Sequence, residues 1–495
     1  MRKGMRAVAG LLAALAATTL VTACGDQAPP GPDWCPTVPG HQVDCGVQSR
    51  PLVADRPELG TVAVSYALIR RGKLDAPAAG TIAPNPGGPG VPLIAHAAQA
   101  TQLSAQLLDD HDLLLIDPRG TGLSSPLDCG ADEAGYELGT REYQQNTVAR
   151  CAEQLGERAV GYTSAATADD FDAIRERLGI PKLVLYGISY GTYLMPIYAE
   201  RHPDHVQSII LSGAYSADFD LLSRPNAEAV SLALQRICDR SRACDGATAV
   251  ADLRTVAQRL ATQPLVITGQ HPLQLDEGKL ATLAFEVAST NVGADPQQPT
   301  LMGTLPAALH AAANGDDTAL RQWAEHAGAE PTAENIDLFI TVACNDYPNL
   351  WSRQSAVPER IQQYRNGLAA GQDGLGAFSA EGFSAGLRDG GDACIRWPAF
   401  TRSQPGHPRA ALPNVPVLVM SGDLDAITPD ANGQRVAAEF PQATFLSVPN
   451  TGHVPDLEPS GCVAGIVSRF VRTGATGPTS CVESIPPIAV TPVPR

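Results

Sequence analysis

Short apolar runs alternate along this chain with longer stretches whose apolar residues recur at helical spacing. That alternation predicts βαβ units around a mainly parallel sheet, an α/β fold. Residues 61–70, 81–84, 112–116, 182–187, 207–211, 415–420 and 444–448 read as strands, with DLLLI at 112–116 a buried one. Residues 167–178 read as a helix. Thr167 is its expected N-cap with Asp170 three residues on, Phe171, Ile174 and Leu178 share one face, and Gly179 ends it.

Between residues 216 and 412 the pattern changes. Strand-like runs become scarce, 264–268 being the main one, and helical stretches dominate at 227–240, 249–261, 277–288, 305–313 and 317–326. This predicts a mostly helical cap inserted into the sheet domain. The expected organisation is a signal peptide over 1–23, a tether and N-terminal segment over 24–50, the first part of the core over 51–215, the cap over 216–412, the second part of the core over 413–475, and a C-terminal tail over 476–495, whose Pro-rich end at 483–495 reads as loose. The chain shows no internal repeat.

A length of 495 residues with 44% hydrophobic residues suits such a core plus insert. Forty-six Gly and forty-one Pro predict many loops. The formal net charge is −17, and it becomes more negative once Arg2, Lys3 and Arg6 at the N-terminus are set aside. Such a surface repels phosphate backbones, which argues against nucleic-acid binding, and it suits cationic substrates or plain solubility.

Arg2, Lys3 and Arg6 form a basic start to an apolar stretch from Ala7 to Leu20, too short for a comfortable membrane span. It ends in Val21-Thr22-Ala23-Cys24, which resembles the lipobox of bacterial lipoproteins, where the Cys becomes the lipidated first residue. The alternative is ordinary cleavage after Ala23. The expectation is therefore an exported protein, in the cell envelope through a lipid on Cys24 or secreted, with no other membrane contact. Ten further cysteines, an even number, fit disulfides in an exported chain. Pairing sequential neighbours gives Cys35–Cys45, Cys129–Cys151, Cys238–Cys244, Cys344–Cys394 and Cys462–Cys481, although sequence leaves the connectivity open. A metal site is the weaker reading, because no C-x-x-C pair exists.

Gly187-Ile188-Ser189-Tyr190-Gly191 follows the apolar run KLVLYG and precedes a helical stretch at 190–201. This strand–turn–helix context turns a weak G-x-S-x-G match into a strong one, because it exposes a serine hydroxyl at the sheet edge beside a helix N-terminus. A serine needs a base, and His453 lies on a loop after the strand at 444–448, at the same sheet edge. The acid should follow the preceding strand; Asp425 is the expected residue and Asp423 the alternative. Asn85-Pro86-Gly87-Gly88-Pro89-Gly90 follows the strand at 81–84, where one N–H of an oxyanion hole belongs. Gly88 is the candidate with Gly87 second, and Tyr190 N–H supplies the other donor.

Taken together, NPGGPG, DPRGTGLS, GISYG, GDLDAITP and NTGH resemble the secreted tripeptidyl aminopeptidases of actinobacteria and are similar to the proline iminopeptidases, α/β-hydrolase-fold enzymes. Pro86 stands where the iminopeptidases usually carry His, and VACNDYP (342–348) and CIRWP (394–398) also look like the tripeptidyl branch. The resemblance implies a Ser189–His453–Asp425 triad, a cap that restricts entry, and release of short units, expected to be tripeptides, from free peptide N-termini. It calls for a carboxylate that meets the α-amine, for which Asp346 is the candidate and Glu200 a weaker one. It implies no metal or organic cofactor and a monomer whose partner is its peptide substrate. A carboxylesterase or lipase on the same triad, and a non-catalytic envelope binding protein, are the competing readings.

Overall fold

The computed structural model describes residues 32–216, 220–270, 272–290, 297–328, 334–399 and 411–493. The signal-like segment and Cys24 lie outside them. Eight strands form one sheet: β1 (Val43–Pro51), β2 (Thr61–Ile69), β3 (Gly80–Asn85), β4 (His111–Ile116), β5 (Leu183–Ile188), β6 (Val206–Ser212), β9 (Val417–Gly422) and β10 (Ala443–Val448). Their spatial order is β1-β2-β4-β3-β5-β6-β9-β10. The β1–β2 and β2–β4 pairs are antiparallel, and every later pair in that order is parallel. β4 and β5 are buried at every position, which explains their unbroken apolar runs.

Helices α1 (Ala97–Leu103), α2 (Glu133–Leu138), α3 (Arg141–Leu155), α4 (Ser164–Arg177) and α5 (Gly191–Arg201) lie between β3 and β6 in the chain. Two apolar clusters bury the sheet. One contains Phe171, Tyr193, Leu194 and Val436, the other Ile82, Leu115, Ile466 and Phe470. The helix expected from Thr167 begins one turn earlier, with Thr163 as N-cap accepting from Ala166 N. A second Thr in an Ala-rich stretch made the two caps equivalent by pattern.

Between β6 and β9 the chain forms α6 (Arg224–Ser241), α7 (Gly246–Leu260), the hairpin β7 (Leu265–Ile267) and β8 (Leu273–Leu275), then α8 (Glu277–Thr290), α9 (Leu301–Ala313), α10 (Thr318–Ala327), α11 (Ile336–Asp346), α12 (Val357–Ala370) and α13 (Ala380–Gly386). These elements share a third apolar cluster built around Leu234, Leu253, Leu280, Leu309 and Trp323. After β9 come α14 (Asp430–Glu439), β10 and α15 (Cys462–Thr473). The five disulfides join Cys35–Cys45, Cys129–Cys151, Cys238–Cys244, Cys344–Cys394 and Cys462–Cys481.

The Pro-rich end is not loose. Ile488 and Val490 are buried in the apolar cluster of the helical region. Thr491 N donates to Gly303 O at 2.9 Å and Val493 N to Ala243 O at 2.9 Å. Prolines lack N–H groups, so an extended Pro-rich strand needs few partners to be satisfied. Deleting residues 485–495 is expected to lower stability by about 3 kcal/mol through lost apolar burial, less the chain entropy regained. A urea-unfolding midpoint that stays in place would show the tail to be dispensable.

Candidate active site

Ser189 sits between β5 and α5 with φ at 56°, in the left-handed region that non-glycine residues seldom occupy. Two contacts hold it there. Its N–H donates to Ser212 O at 3.1 Å, and its carbonyl accepts from Thr192 N at 2.8 Å. The neighbouring glycines are required by space. A Cβ on Gly191 would stand 2.2 Å from Asn85 O, and one on Gly87 would stand 2.8 Å from Ser189 Cβ and 3.0 Å from Tyr190 N. The 86–90 loop is thus pressed against the turn, which places Tyr190 N–H, at the start of α5, and Gly88 on one side of Ser189.

His453 follows β10, with its own N–H bonded to Ser289 O of α8 at 2.7 Å. Its Nδ1 lies 2.9 Å from Asp425 Oδ2 and 2.9 Å from Thr428 Oγ1. The carboxylate accepts from Nδ1–H, which leaves Nε2 as the acceptor nitrogen. Asp425 also accepts from Ile427 N at 2.8 Å and from the Thr428 hydroxyl. Ser289 Oγ accepts from Ala426 N and Ile427 N, so one serine of α8 braces both the acid loop and the histidine loop. Burial by itself raises the Asp425 pKa, but His453 and Thr428 outweigh it and hold the carboxyl below its ordinary value. Burial likewise lowers the imidazole, and Asp425 outweighs it, so His453 titrates above its ordinary value.

Asp423, the alternative acid, faces elsewhere. Its Oδ2 pairs with Arg240 at 2.5 Å and its Oδ1 accepts from Asn450 N at 2.8 Å.

Ser189, Gly88 and His453 line one cavity of about 270 Å³, together with Glu286, Glu334, Arg388 and Asp389. Glu286 comes from α8, Glu334 precedes α11, and Arg388-Asp389 follow α13. Arg388 Nη1 bonds Glu137 Oε1 at 2.7 Å and Glu334 Oε1 at 2.5 Å, and its Nε lies 4.0 Å from Glu286 Oε1. The guanidinium covers the Phe339 ring, 4.5 Å from its centroid. Three carboxylates therefore share one guanidinium, and Asp389 lines the same cavity. Burial, partly offset by Arg388, pushes Glu286 up to about 7 and raises Glu334 and Asp389. Sequence reasoning missed all of these residues; the one available signal was an acid at 286 inside the apolar run LAFEVA.

The carboxylates expected to meet an amine sit elsewhere. Asp346 ends α11 and is buried, and its Oδ2 accepts from Ser164 N at 2.7 Å and Ser164 Oγ at 2.6 Å. Ser164 Oγ in turn lies 2.7 Å from Tyr190 OH. Asp346 thus serves as a buried tie between α11, α4 and the serine turn, outside the cavity lining. Glu200 is buried within α5, also outside that lining. Among the described residues two groups have metal-ligand proximity. Cys129 and Cys151 with Asp337 are spent as a disulfide, and Asp172 with His202 and His205 is occupied by Arg175 and Tyr198.

A sequence family described as the alpha/beta hydrolase fold matches residues 85–256, and one described as TAP-like protein matches 380–481. The chain has the α/β-hydrolase fold. This hydrolase is similar to the serine protease Hip1 of Mycobacterium tuberculosis, 26% identical over 482 residues, covering 89% of this chain and 87% of that protein. It is similar to the tripeptidyl aminopeptidase of Streptomyces lividans, 29% identical over 229 residues, covering 42% of this chain and 41% of that protein. A solved proline iminopeptidase from Mycobacterium smegmatis aligns with a TM-score of 0.40 at 16% identity, over 87% of this chain and 98% of that one.

Asp346 has a consequence for the hydrolase's stability. Burial pushes its carboxyl up to about 6 from an ordinary 3.8. A raised folded-state value stabilises below pH 3.8, and that stabilisation is lost as pH rises through 6. Its loss amounts to ~3 kcal/mol at the linkage constant of about 1.4 kcal/mol per unit. Asp346→Asn is therefore expected to flatten the fall in unfolding free energy between pH 4 and pH 7 by that order, compared with the unmodified chain in urea titrations at both pH values.

Proposed function

We propose that this chain is an exported serine exopeptidase that removes a short unit from the free N-terminus of peptides. One observation carries the reading: the Ser189 turn and the Asp425–His453 pair open into the same small cavity as a group of carboxylates that outnumber their guanidinium. Buried negative charge in excess of its counter-charge is stabilised by a bound cation. A peptide α-amine is such a cation, and Glu286, Glu334 and Asp389 are the residues that meet it. The relatives named as a serine protease and as a tripeptidyl aminopeptidase support the same class. The resemblance implies a three-residue unit.

In this mechanism His453 Nε2 takes the proton of Ser189 Oγ as the oxygen attacks the scissile carbonyl. Tyr190 N–H and Gly88 N–H hold the developing oxyanion. The protonated imidazole, stabilised by Asp425, returns the proton to the departing amine. An acyl-enzyme remains, and water activated by the neutral imidazole hydrolyses it. Five disulfides support an oxidising, exported location, and attachment through a lipid on Cys24 completes the proposal.

Matched chromogenic amides with free and N-acetylated termini test the reading. Free-amine substrates are expected to turn over and acetylated ones to be poor, with Ser189→Ala inactive. Equal cleavage of both, or hydrolysis of esters alone, sinks the exopeptidase claim in favour of an esterase. Asp425→Asn should lower kcat by about 10⁴-fold while Asp423→Asn stays far milder.

The pH profile supplies a separate check. His453 must be neutral to act, so kcat should fall on acidification around a value above 6.5. KM for free-amine substrates should rise as pH drops below about 7, where Glu286 takes up a proton, and KM for acetylated ones should not.

A further inference from the structure

β1 (Val43–Pro51) is an end strand of the main sheet, with β2 on one side and no described strand on the other. Its pairing with β2 runs without a bulge from Val43–Ile69 to Pro51–Thr61. A long regular edge of this kind pairs with further strands unless something blunts it. β1 carries no Lys, and its proline, Pro51, is its last residue.

The direction of each main-chain group follows from the bonds at both ends of the register. Arg70 N donates to Gln42 O at 2.8 Å, and Leu52 N donates to Gly60 O at 2.9 Å. Bonded and non-bonded positions alternate in an antiparallel ladder, so the even-numbered residues of β1 bond to β2. β2 agrees, because Ala63 N and Ser65 N turn the other way, to the hydroxyls of Ser125 and Ser124. Val43, Cys45, Val47 and Ser49 therefore aim their N–H and C=O groups away from the sheet. Among the described hydrogen bonds, none uses these four N–H groups. On that side Cys35 Sγ lies 4.0 Å from Val43 O.

A second copy running antiparallel can exchange these bonds only between residues that both point outward. Centring a two-fold axis on Val47, the midpoint of β1, pairs Val47 with itself, Cys45 with Ser49 and Val43 with Pro51, so the whole strand overlaps. Pro51 has no N–H to give, and it falls opposite Val43, whose carbonyl already has Cys35 beside it. On the other face the same register sets Asp44 against Arg50 of the second copy, twice. These are non-bonded positions, where facing side chains approach most closely. Both charges are available. Arg119 Nε lies 2.7 Å and Arg50 Nε 3.0 Å from Asp170, so two guanidiniums share that carboxylate. Asp44 is partly exposed; its Oδ2 holds Arg70, and its Oδ1 accepts from the Gln42 amide at 3.2 Å. Val47, 44% exposed, would meet its own copy on the axis.

We propose that β1 is a dimerisation edge, to which a second copy of this chain adds its own β1 antiparallel about an axis through Val47. The dimer replaces the monomer that the resemblance implies and stands independently of the reaction. The axis is perpendicular to the sheet, so the parallel strands of the two copies run in opposite directions. The two Ser189 cavities then open at opposite edges of one continuous sheet, and each stays accessible.

The test uses the chain beginning at Gly25, which removes the signal-like segment and the Cys24 thiol. Sedimentation velocity from micromolar to millimolar concentration is expected to show a reversible dimer. Asp44→Arg and Arg50→Glu each set like charges against one another at both ends of the strand, and each should raise the dissociation constant about tenfold or more. Mixing the two variants should restore the dimer, because every facing pair is again opposite in charge. Variants that dimerise as tightly as the unmodified chain, or a mixture that does not recover, overturn this register. Val47→Cys decides the matter if the charge variants do not fold. Its thiol should cross-link two copies on oxidation, since facing Cα atoms about 5.5 Å apart suit a disulfide, whereas Leu74→Cys, also exposed, should not. Equal cross-linking of both, or a chain that stays monomeric throughout, overturns the proposal. Dimers that appear only after residues 25–31 are also removed overturn it as well, by assigning the edge to the chain's own N-terminal segment.

Discussion

Three backbone segments meet at Ser189 at distances that leave no room for side chains. The carbonyl of Asn85 from β3 abuts Gly191 of α5, and Gly87 abuts the serine itself. This steric constraint fixes the serine in its left-handed conformation, aims the start of α5 at the cavity, and lays the 86–90 loop beside it. The energetic penalty of a strained non-glycine residue, on the order of 1–3 kcal/mol, is sustained because strands on both sides are buried and hydrogen-bonded. The histidine loop is indexed to the same place. Asp456, three residues past His453, bonds the hydroxyls of Tyr186 on β5 and Ser212 on β6, and Ser212 O in turn receives Ser189 N–H.

The helical region is fastened to that centre by buried polar ties. Asn345 reaches the carbonyls of Ala159 and Tyr162, Asp346 reaches Ser164 and through it Tyr190, and Ser289 braces both acid and histidine loops. Each tie is a directional bond in a low-dielectric setting, so its loss is felt as misplacement of a neighbour more than as loss of bulk. The segment VACNDYP, read first as a family mark, gains a physical account. Cys344 is covalently held, Asn345 and Asp346 anchor α11, and Tyr347 packs edge-on against Tyr193 at 5.5 Å.

What was legible in the sequence was what is local. Strands buried on both faces announce themselves as unbroken apolar runs, and Ser189 and Asp425 each follow such a strand by a few residues, whereas His453 follows β10, a half-exposed edge strand. β1 went unread because an edge strand, half exposed along its length, carries Asp44, Gln48, Ser49 and Arg50 in place of an apolar run. α3 went unread because its polar residues outnumber its buried ones. The carboxylate cavity was illegible for a different reason. Glu286, Glu334 and Asp389 come from three distant stretches, and only the packing of α8, α11 and α13 brings them beside Gly88. Asp346 looked apt because it sits in a distinctive motif, yet distinctive motifs also mark internal ties.

The end of the chain returns to the helical region after the sheet is complete, with Thr491 and Val493 bonded to the backbones of Gly303 and Ala243. A ribosome delivers residues in order, so β9 and β10 exist before the last partners of α9 are made. The helical layer, although its helices are synthesised in the middle, is therefore the last part to be sealed. The last described residues thus lock together the helices that follow β6, and a cut before Thr491 would loosen that layer while leaving the sheet closed.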